Sequence, residues 1–474
     1  MSGHPYPAPL QVSVLQMAEL KRLLEKILPP PQLLDQPDAL ERYGHDESDT
    51  ADYPPQLVAL PETTDQVSQV VKACHQLRIP VTPCGARSGK SGGSLPLHGG
   101  LVLSLERMRR IHSISSEDLT AVVEPGVVTG DLMKAVEEKG LFYPPDPNSW
   151  EFCTLGGNIA ENAGGPRALK YGVTREYVLG LEWVLPDGEV IRVGKNTIKG
   201  VAGYDLVGLF VGSEGTLGVA TSITLQLIPL PKQVQTALIS FPSVQEAARA
   251  VSAVLAEGLL PRTLELLDDV SIAAVNGKGF TFPGAGAGGA AVIAEVDGND
   301  ADAVFAELAA VGEICQRVGQ GEAVVAQNEE QRRRIWAVRR EVSTALRTMK
   351  RFKISEDIAV PRSKIPEAIA TLKRLGQERG LTVATYGHAG DGNLHANVLY
   401  SGPEERPLVD ELVEQMMRLT VALGGTITGE HGVGLAKRQF LSLEQSQGVV
   451  ALQRALKATI DPLSTFNPGK IFPV

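Results

Sequence analysis

Length, composition and charge already exclude several classes of protein. At 474 residues the chain exceeds what one hydrophobic core normally supports, so we expect two domains. Its 45 basic and 55 acidic residues leave a formal net charge of −10, which argues against general binding to nucleic acids or anionic membranes. An anionic substrate would therefore need a local basic pocket.

The four cysteines are far apart and form no Cys-x-x-Cys pair, so the sequence encodes neither a structural zinc site nor an iron–sulfur cluster. The first residues lack a basic region followed by an apolar core, and no run of 18 apolar residues occurs. We expect a cytoplasmic protein without a transmembrane segment, either soluble or peripheral to the inner membrane.

The N-terminal part begins with residues 1–12, which we predict to be disordered. The apolar face of residues 20–28 predicts a short helix that ends at Pro29. From about residue 54 the pattern changes to short β-rich runs separated by helices and glycine loops. These runs are 57–60, 81–84, 101–105 and 120–123.

Capping and turn signals place two further elements before the first boundary. Thr63 with Gln66 forms a capping box that begins a helix running to about Arg78. The runs 179–185 and 190–193, joined by a Pro-Asp-Gly turn, predict a β-hairpin. The segment Pro-Leu-Pro at 229–231 looks like a domain boundary, and the mixture of elements indicates an α+β fold.

Beyond residue 231, helices and strands alternate without a repeat of fixed period. The alanine- and glycine-rich tract 283–291 is predicted to be a flexible loop. The predicted helices are 244–257, 301–319, 328–351 and 366–380.

Three histidines cluster with a carboxylate in two glycine-rich segments, 388–397 and 429–434. His388 and His395 lie in the first segment, and Glu430 and His431 lie in the second. Two imidazoles and a carboxylate are an ordinary ligand set for a divalent metal, and a further histidine beside them suits acid/base chemistry near pH 7. The pattern predicts an active site.

The loop 84–91, Cys-Gly-Ala-Arg-Ser-Gly-Lys-Ser, differs at one position from a Walker A loop, which needs glycine where Cys84 stands. A P-loop also requires a following helix, and Pro96 disfavours a helix beginning at Ser91. Successive small residues still let backbone N–H groups converge on an anion, so the loop favours pyrophosphate binding. A glycine-rich surface turn is the alternative.

Three more small-residue segments follow, at 124–127, 153–165 and 212–219. A single glycine loop carries little information. Four such segments within about 140 residues suggest a backbone packed closely along an extended ligand.

Several segments resemble, in order, the PCMH-type FAD-binding domain of the vanillyl-alcohol oxidase superfamily. These are 83–97, 143–147, 154–165, 169–172 and 211–219. Three later segments, 388–397, 429–434 and Asn467-Pro468-Gly469-Lys470, are similar to the D-2-hydroxyacid dehydrogenase branch. That branch includes glycolate oxidase FAD subunits, D-lactate dehydrogenases and D-2-hydroxyglutarate dehydrogenases. The resemblance spans residues 50–472.

The resemblance implies an α+β architecture with a division of labour. Residues 54–230 would form a two-subdomain, PCMH-type FAD-binding domain, preceded by a lead-in segment, 1–53. Residues 231–430 would form an α+β substrate or cap domain with an antiparallel sheet and the metal ligands. Residues 431–474 would return to the FAD domain.

The same resemblance assigns residues to FAD. The loop from Pro83 would bind the pyrophosphate, the segments after Pro145 and Thr154 would line the flavin, Glu214 would contact the adenosine half, and Asn467 would close the site. The implied set is Pro83, Gly85, Ala86, Arg87, Ser88, Gly89, Ser91, Gly92, Gly93, Pro125, Gly126, Pro145, Asp146, Thr154, Gly156, Gly157, Asn158, Asn162, Gly164, Gly165, Tyr171, Gly172, Glu214, Gly215, Gly218, Val219 and Asn467.

The phosphate loop departs from the family pattern at Arg87 and Lys90, where small or apolar residues are usual. The two cations would either contact the diphosphate or face solvent. Relatives with covalent flavin carry a histidine in this loop, and none occurs between Val81 and Leu97. Noncovalent FAD is therefore expected.

Oxidation of a 2-hydroxy acid sends the α-hydrogen to flavin N5 as hydride and the hydroxyl proton to a base. We predict that His388, His395 and Glu430 bind a divalent metal, zinc in the first place with manganese or iron as alternatives, which polarises the hydroxyl. His431 is the predicted base. Since adjacent side chains of a regular strand point to opposite faces, Glu430 and His431 can serve one site only outside regular strand geometry.

A cation must also hold the substrate carboxylate. Arg339 and Ser343 are spaced to share one face of the helix 328–351, and the resemblance favours Arg339. A solvated basic face is the alternative for that helix. Lys353 is a second candidate cation, and Asn397 completes the predicted catalytic set.

Three functions remain open from the sequence. The first is an FAD- and metal-dependent dehydrogenase that takes a small anionic 2-hydroxy acid, such as glycolate, D-lactate or D-2-hydroxyglutarate. The second is a metal-dependent hydrolase, and the third is a flavin-binding electron-transfer subunit without substrate chemistry of its own. For the dehydrogenase, a partner protein or a quinone would take the electrons, and the chain would form a homodimer or part of a multi-subunit oxidase.

Overall fold

The computed structural model describes residues 12–277 and 288–473. The predicted disorder of residues 1–12 lies outside the described residues except at Val12, and the predicted loop 283–291 does so up to residue 287. The loop prediction is wrong at Ala290 and Ala291, which begin a strand and are fully buried. Their small apolar side chains fit a sheet interior as readily as a loop.

The described strands, of which the two longest lie in the second half of the chain, range from two to nine residues. They are β1 (Leu33–Leu34), β2 (Leu57–Ala59), β3 (Val81–Cys84), β4 (Leu101–Ser104), β5 (Ile111–Ser115), β6 (Thr120–Val123), β7 (Leu141–Phe142), β8 (Val178–Val184), β9 (Val190–Gly194), β10 (Val219–Gln226), β11 (Ile228–Pro229), β12 (Gln233–Phe241), β13 (Thr263–Leu267), β14 (Ala290–Gly298), β15 (Glu322–Val325), β16 (Phe352–Ala359), β17 (Thr382–His388) and β18 (Asn393–Tyr400).

The α-helices are distributed along the whole described chain. They are α1 (Val14–Leu24), α2 (Pro37–Glu41), α3 (Thr64–Leu77), α4 (Thr129–Glu137), α5 (Leu155–Glu161), α6 (Ala168–Tyr171), α7 (Leu206–Phe210), α8 (Val244–Ala256), α9 (Asp269–Asn276), α10 (Ala301–Gly319), α11 (Glu329–Met349), α12 (Ile365–Gln377), α13 (Arg406–Ala422), α14 (Leu441–Glu444) and α15 (Gln447–Ile460).

The chain divides into two compact units. Unit 1 comprises the described parts of Met1–Ala163, Val173–Leu230 and His431–Val474, and unit 2 comprises Gly164–Gly172 and the described parts of Pro231–Glu430. The chain thus changes unit next to the predicted Pro-Leu-Pro boundary and again between Glu430 and His431. The roles assigned to the predicted domains remain predictions.

Unit 1 contains two principal sheets. One has the order β1-β2-β4-β3, with β2, β4 and β3 parallel and β1 antiparallel to β2. The other is antiparallel with the order β5-β6-β10-β8-β9, and it contains the predicted hairpin as β8 and β9. A short ribbon pairs β11 with β7.

Helices α1 and α3 pack on the parallel sheet of unit 1 through a shared apolar core. Thr63 caps α3 by accepting the Gln66 N–H, and Arg78 in the left-handed region ends the helix. The reciprocal bond of the predicted capping box is replaced by one in which Gln66 Oε1 accepts the Glu62 N–H at 2.8 Å. Helix α1 ends at Leu24, so the prediction that it reaches Leu28 is wrong. Pro29 disfavours helical geometry in the residue before it, and the chain leaves the helix through a turn.

Unit 2 is built on one antiparallel sheet of seven strands, β15-β12-β14-β13-β17-β18-β16. Helices α9 and α11 pack on one face, where Val342 and Leu346 of α11 meet Ala384 and Tyr386 of β17. The predicted helices of this half are confirmed as α8, α10, α11 and α12. Together the two units confirm the predicted α+β class.

Within the described ranges, no helix is long and apolar enough to cross a membrane.

Candidate active site

In unit 1, backbone hydrogen bonds attach the loop after β3 to the C-terminal segment. The carbonyl oxygen of Ser91 accepts the backbone N–H groups of Leu435 and Ala436 at 2.8 and 3.0 Å. Gly434 has φ +49°, and a side chain there would collide with the Ser91 carbonyl. Glycine at this position allows the segment to approach the loop.

Two side chains of the Asn-Pro-Gly-Lys motif continue this attachment. The Asn467 side-chain amide donates to the carbonyl oxygens of Gly93 and Glu214, both at 2.8 Å, so it joins two of the predicted FAD segments. The Lys470 ammonium donates to the Leu95 carbonyl at 2.5 Å. Burial is the main reason that the pKa of Lys470 falls to about 7. Asn467 therefore orders the loops through their backbone.

Glycine residues and buried hydroxyl groups occur together in and beside this loop. The Ser91, Ser94 and Thr154 hydroxyls are buried, and they find no hydrogen-bond partner in the described part of the chain. A side chain at Gly85 would collide with the Thr154 hydroxyl. Buried hydroxyls without partners are costly unless a ligand satisfies them, so these residues fit a polar cofactor such as FAD.

The two unusual cations of the loop behave differently. Arg87 has φ +59°, and its guanidinium lies 4.6 Å from the centre of the Tyr43 ring and 3.9 Å from the Glu106 carboxylate. Lys90 is exposed. Arg87 therefore packs against side chains of unit 1 while its buried Nη1 makes no hydrogen bond to a described residue, whereas Lys90 faces solvent.

The Glu214 carboxylate is used within unit 1. It accepts the N–H groups of Val433 and Gly434 at 2.9 and 2.6 Å, so an adenosine contact would have to come from other atoms of this segment. The adjacent Glu161 was not predicted from the sequence. Burial, then the charges of Glu214 and Asp46, raise its pKa well above the usual value. Its position at the end of an apolar helix run is the only sequence signal for it.

Several predicted FAD residues have structural explanations of their own. Gly156 packs against Pro125, where a side chain would meet the proline Cβ at 2.7 Å. The Asn158 amide donates to Thr129 at 2.6 Å. Asn162 ends α5 in the left-handed region with φ +56°. Each explains the residue type without a ligand, and none prevents backbone contact with one.

The other predicted FAD residues are divided between the units. Unit 1 contains Pro83, Ala86, Ser88, Gly89, Gly92, Gly126, Pro145, Asp146, Gly157, Gly215, Gly218 and Val219. Gly164, Gly165, Tyr171 and Gly172 belong to unit 2, where the Tyr171 hydroxyl donates to Asp297 at 2.8 Å. These four are not gathered with the glycine loops into one unit.

The predicted metal ligands are brought together in unit 2. His388 ends β17, and His395 lies on β18, which pairs with β17. One ligand atom from each histidine and one from Glu430 lie within 4.8 Å of one another. Glu430 Oε1 is 3.7 Å from His388 Nε2 and 3.4 Å from His395 Nε2. Two nitrogens and a carboxylate at this spacing fit a divalent cation.

A buried carboxylate supports His388. Glu265 of β13 lies opposite His388 in the sheet register, and its Oε1 is 2.5 Å from His388 Nδ1. Burial alone would raise the pKa of Glu265, but the positive charges of His388 and Arg339 outweigh it and hold the pKa at about 2. Burial alone would lower the pKa of His388. The negative charge of Glu265 outweighs burial and raises the pKa of His388 well above its usual value in the absence of metal.

A second buried carboxylate supports the segment that carries Glu430. Asp357 Oδ2 accepts the Thr428 hydroxyl and the N–H groups of Gly429 and Glu430 at 2.8, 2.8 and 2.9 Å. Its Oδ1 accepts the Asn393 amide at 2.5 Å. Sequence reasoning missed both Glu265 and Asp357. For Glu265 the signal is a carboxylate within the otherwise largely apolar run Thr-Leu-Glu-Leu-Leu, because such groups are rarely fully buried unless paired. Asp357 lies in the polar stretch Lys-Ile-Ser-Glu-Asp and carries no such signal.

Arg339 is buried on α11, so the alternative of a solvated basic face is wrong for this residue. Its Nε and Nη2 each lie 2.7 Å from Glu265 Oε2, and its guanidinium lies 4.8 Å from the Tyr386 ring centre. Nη1 makes no hydrogen bond to any described residue. The carboxylate of Glu265 therefore takes one edge of the fork and leaves the other nitrogen for a second anion.

The remaining catalytic candidates share a face of the same sheet. The Lys353 ammonium donates to the Ser343 hydroxyl at 2.7 Å. Asn397 lies two residues after His395 on β18, so both point to one face, and the Asn397 Oδ1 is buried without a partner among the described residues. This face presents two cations and an open acceptor.

Glu430 and His431 lie in a bend, outside regular strand geometry. The backbone at this point is therefore not that of a regular strand, and the joint use of the two side chains stays a prediction. His431 belongs to unit 1, whereas the three metal-ligand candidates belong to unit 2. Its role as base remains a prediction.

Comparison with solved structures defines the fold. The chain resembles 4-ethylphenol oxidase from Gulosibacter chungangensis with a TM-score of 0.80 and 20% identity, covering 98% of this chain and 99% of that one. It resembles p-cresol methylhydroxylase with a TM-score of 0.80 and 18% identity, covering 97% of each chain. The fold is that of a PCMH-type flavoprotein.

Sequence comparison identifies the family. A model described as "FAD linked oxidases, C-terminal domain" matches residues 230–471, and one described as "FAD binding domain" matches residues 55–194. The chain belongs to the family of FAD-linked oxidases. It is 39% identical to the glycolate oxidase subunit GlcD of Bacillus subtilis, covering 91% of this chain and 92% of that protein. It is 34% identical to the D-lactate dehydrogenase of Anaerostipes hadrus, covering 94% and 96%.

Proposed function

We propose that this FAD-linked oxidoreductase oxidises a D-2-hydroxy acid to the 2-oxo acid. The observation that carries the proposal is the cluster of His388, His395 and Glu430 in the same unit as the cations Arg339 and Lys353. A metal site suits the hydroxyl of such a substrate, and a cation suits its carboxylate. Relatives named glycolate oxidase subunit and D-lactate dehydrogenase support the same substrate class.

FAD, when bound, supplies the acceptor for the hydride that leaves the α-carbon. In unit 1, the buried hydroxyls of Ser91, Ser94 and Thr154 and the loop held by Asn467 would hold it. No histidine is present in this loop for covalent attachment, so the binding is noncovalent.

A divalent cation at His388, His395 and Glu430 would supply a positive charge that lowers the pKa of the substrate hydroxyl. Zinc is proposed first because imidazole and carboxylate suit it, and manganese and iron accept the same donors. Asp357 and Glu265 hold the ligand side chains and the backbone around them in place.

Arg339 and Lys353 bind the carboxylate of the substrate in this proposal. Arg339 Nη1 is the nitrogen of the fork that Glu265 leaves available, and Lys353 is oriented by Ser343. The Asn397 Oδ1 offers a hydrogen-bond acceptor on the same face. His431 accepts the hydroxyl proton in this proposal, and an imidazole has a suitable pKa for that step near pH 7.

The proposal is tested by an anaerobic screen of glycolate and of D- and L-2-hydroxy acids against the flavin absorbance of the purified protein. Achiral glycolate or at least one D-acid should bleach the flavin and yield one equivalent of 2-oxo acid. A protein that binds FAD but is not bleached by any 2-hydroxy acid would contradict the proposal. The screen also names the substrate among glycolate, D-lactate and D-2-hydroxyglutarate.

Substitution of His431 by Asn separates this function from that of an electron-transfer subunit. The variant should bind FAD yet lose bleaching by the hydroxy acid, whereas a subunit without substrate chemistry would be unaffected. The name of the Bacillus relative, a glycolate oxidase subunit, supports assembly with further subunits. We propose a partner protein or a quinone as the electron acceptor and the cytoplasm as the location.

A further inference from the structure

One carboxylate in unit 2 serves two functional groups at once. Glu265 is fully buried on β13, with Oε1 2.5 Å from His388 Nδ1 and Oε2 2.7 Å from Arg339 Nε and Nη2. His388 is a candidate metal ligand, and Arg339 is the candidate site for the substrate carboxylate. Each oxygen of Glu265 is therefore assigned to a different part of the reaction.

The fold fixes this arrangement through three different elements. Glu265 and His388 are direct partners in the antiparallel register of β13 and β17, so their backbones hold the two side chains side by side. Arg339 comes from α11, which packs on this sheet through an apolar core that includes Tyr386. Its guanidinium stacks over that ring. The three side chains are not held by a flexible loop.

The hydrogen bonds have chemical consequences at both ends. A neutral imidazole that donates from Nδ1 to a carboxylate keeps its Nε2 lone pair for a metal ion. His388 Nε2 is the nitrogen that faces Glu430, at 3.7 Å from its Oε1. At the other end, Arg339 is held by two nitrogens, which turns the remaining Nη1 away from Glu265.

We propose that Glu265 is a positioning residue that couples the metal site to the substrate-binding arginine. It fixes the tautomer and ring orientation of His388 and, with its other oxygen, the direction of the Arg339 fork. Loss of this one carboxylate therefore weakens both metal binding and substrate binding, although Glu265 touches neither metal nor substrate. The inference rests on the function proposed above.

Glu265→Gln tests the coupling with little change in volume. The amide keeps one acceptor oxygen and presents an NH₂ group at the other position, so it can serve His388 Nδ1 or Arg339 as acceptor, but not both. Asp268→Asn is the matched control. Asp268 is also fully buried, three residues along the chain, but it accepts the N–H groups of Ser271 and Thr385 and pairs with Lys373 rather than with a proposed ligand.

The measurement is the affinity of FAD-loaded protein for Zn²⁺, by competition with a chromogenic chelator, together with kcat and KM for the best hydroxy acid of the screen. Glu265→Gln should lower zinc affinity about 10- to 100-fold, the range seen when partners of metal-bound histidines are removed. It should also raise KM at saturating zinc, whereas Asp268→Asn should change neither, whatever it does to Tm.

Glu265→Asp keeps the charge and shortens the side chain, and it decides the matter if the Gln variant does not fold. Reduced zinc affinity and raised KM in this variant support the coupling. Zinc affinity and KM equal to those of the Asp268→Asn control overturn it while leaving the proposed function intact. A wild-type protein whose zinc affinity equals that of His388→Ala would instead defeat the proposed metal site, and the inference with it.

Discussion

The two units build their proposed sites by opposite means. In unit 1 the loops that we propose to bind FAD consist of glycine and other small residues, and the Ser91 and Thr154 hydroxyls are buried without partners among the described residues. In unit 2 the candidate metal site consists of side chains. Glu265 already hydrogen-bonds the His388 ring, and Asp357 already accepts the backbone N–H of Glu430. The hydroxyls of the first site need hydrogen-bond partners that a bound cofactor would supply. The ligand candidates of the second site are already oriented by hydrogen bonds within the protein.

This difference follows from the ligands. A long cofactor is contacted over many atoms, so close backbone approach matters more than any one side chain. A metal ion takes a few donor atoms at short range, so the orientation of each donor matters. We therefore expect substitutions in unit 1 to reduce FAD affinity gradually, and those in unit 2 to abolish single steps.

The largest expected effect is that of His388→Ala. Removal of one of three metal ligands should reduce turnover of the hydroxy acid roughly a thousandfold or more, because the hydroxyl loses its polarising charge. FAD content should stay at the wild-type level, since the glycine loops lie in unit 1. Stopped-flow reduction and the flavin-to-protein ratio measure the two. Turnover within tenfold of that of the wild-type protein would contradict the role of His388 as a metal ligand.

Gly434→Ala is the converse test on unit 1. The added methyl would collide with the Ser91 carbonyl at a backbone with φ +49°. Strain of this kind costs about 1–3 kcal/mol, so FAD affinity should fall roughly 5- to 150-fold while zinc affinity is retained. The control is Gly448→Ala, where a methyl meets no atom within 4 Å. Equal FAD affinity in both variants would contradict the role of the C-terminal segment.

A smaller effect is expected for Lys353→Met. Loss of one charge-assisted contact to the substrate carboxylate should raise KM about tenfold with a smaller change in kcat. Lys350→Met is the control, because Lys350 is exposed and its ammonium donates a hydrogen bond to the Ser401 hydroxyl at 3.0 Å, away from the proposed site residues. Steady-state kinetics distinguishes them, and an unchanged KM in Lys353→Met would remove this lysine from the substrate site.

The smallest effect concerns the pH dependence of apoprotein stability. Burial and the charge of Glu214 raise the pKa of Glu161 above its unfolded value of 4.5. Its contribution is therefore fully present below pH 4.5 and is lost as pH rises through the folded pKa. Relative to Glu161→Gln, the wild-type protein should therefore lose Tm as the pH rises above about 4.5. A constant difference in Tm across this range would contradict the assignment.

The elements of the fold could be predicted where local signals were strong. The N-cap at Thr63 and the hairpin at 186–188 depend on neighbouring residues only, and both occur as expected. The second bond of the predicted capping box does not form, because the Gln66 side chain accepts the N–H of Glu62 instead. The composition of 283–291 predicts a loop because alanine and glycine carry no burial signal of their own. Ala290 and Ala291 form part of a strand because β14 pairs with β12 and β13 in the sheet of unit 2.

The candidate site was predictable as a set of residues but not as a network. His388, His395 and Glu430 could be grouped because metal ligands of these types are recognisable in glycine-rich segments. Glu265 is 123 residues before His388, and only the register of β13 and β17 brings them together. No local pattern encodes that pairing, and the same holds for Asp357 and Glu430.

If unit 2 supplies a metal-dependent substrate site to this flavoprotein, flavin reduction in a single turnover should depend on the metal. Protein freed of metal by a chelator is mixed anaerobically with the best D-2-hydroxy acid, before and after one equivalent of Zn²⁺ is restored. Flavin reduction should be slow without zinc and recover its original rate with it. Equal rates in both samples, with zinc shown to be absent from the first, would contradict the account.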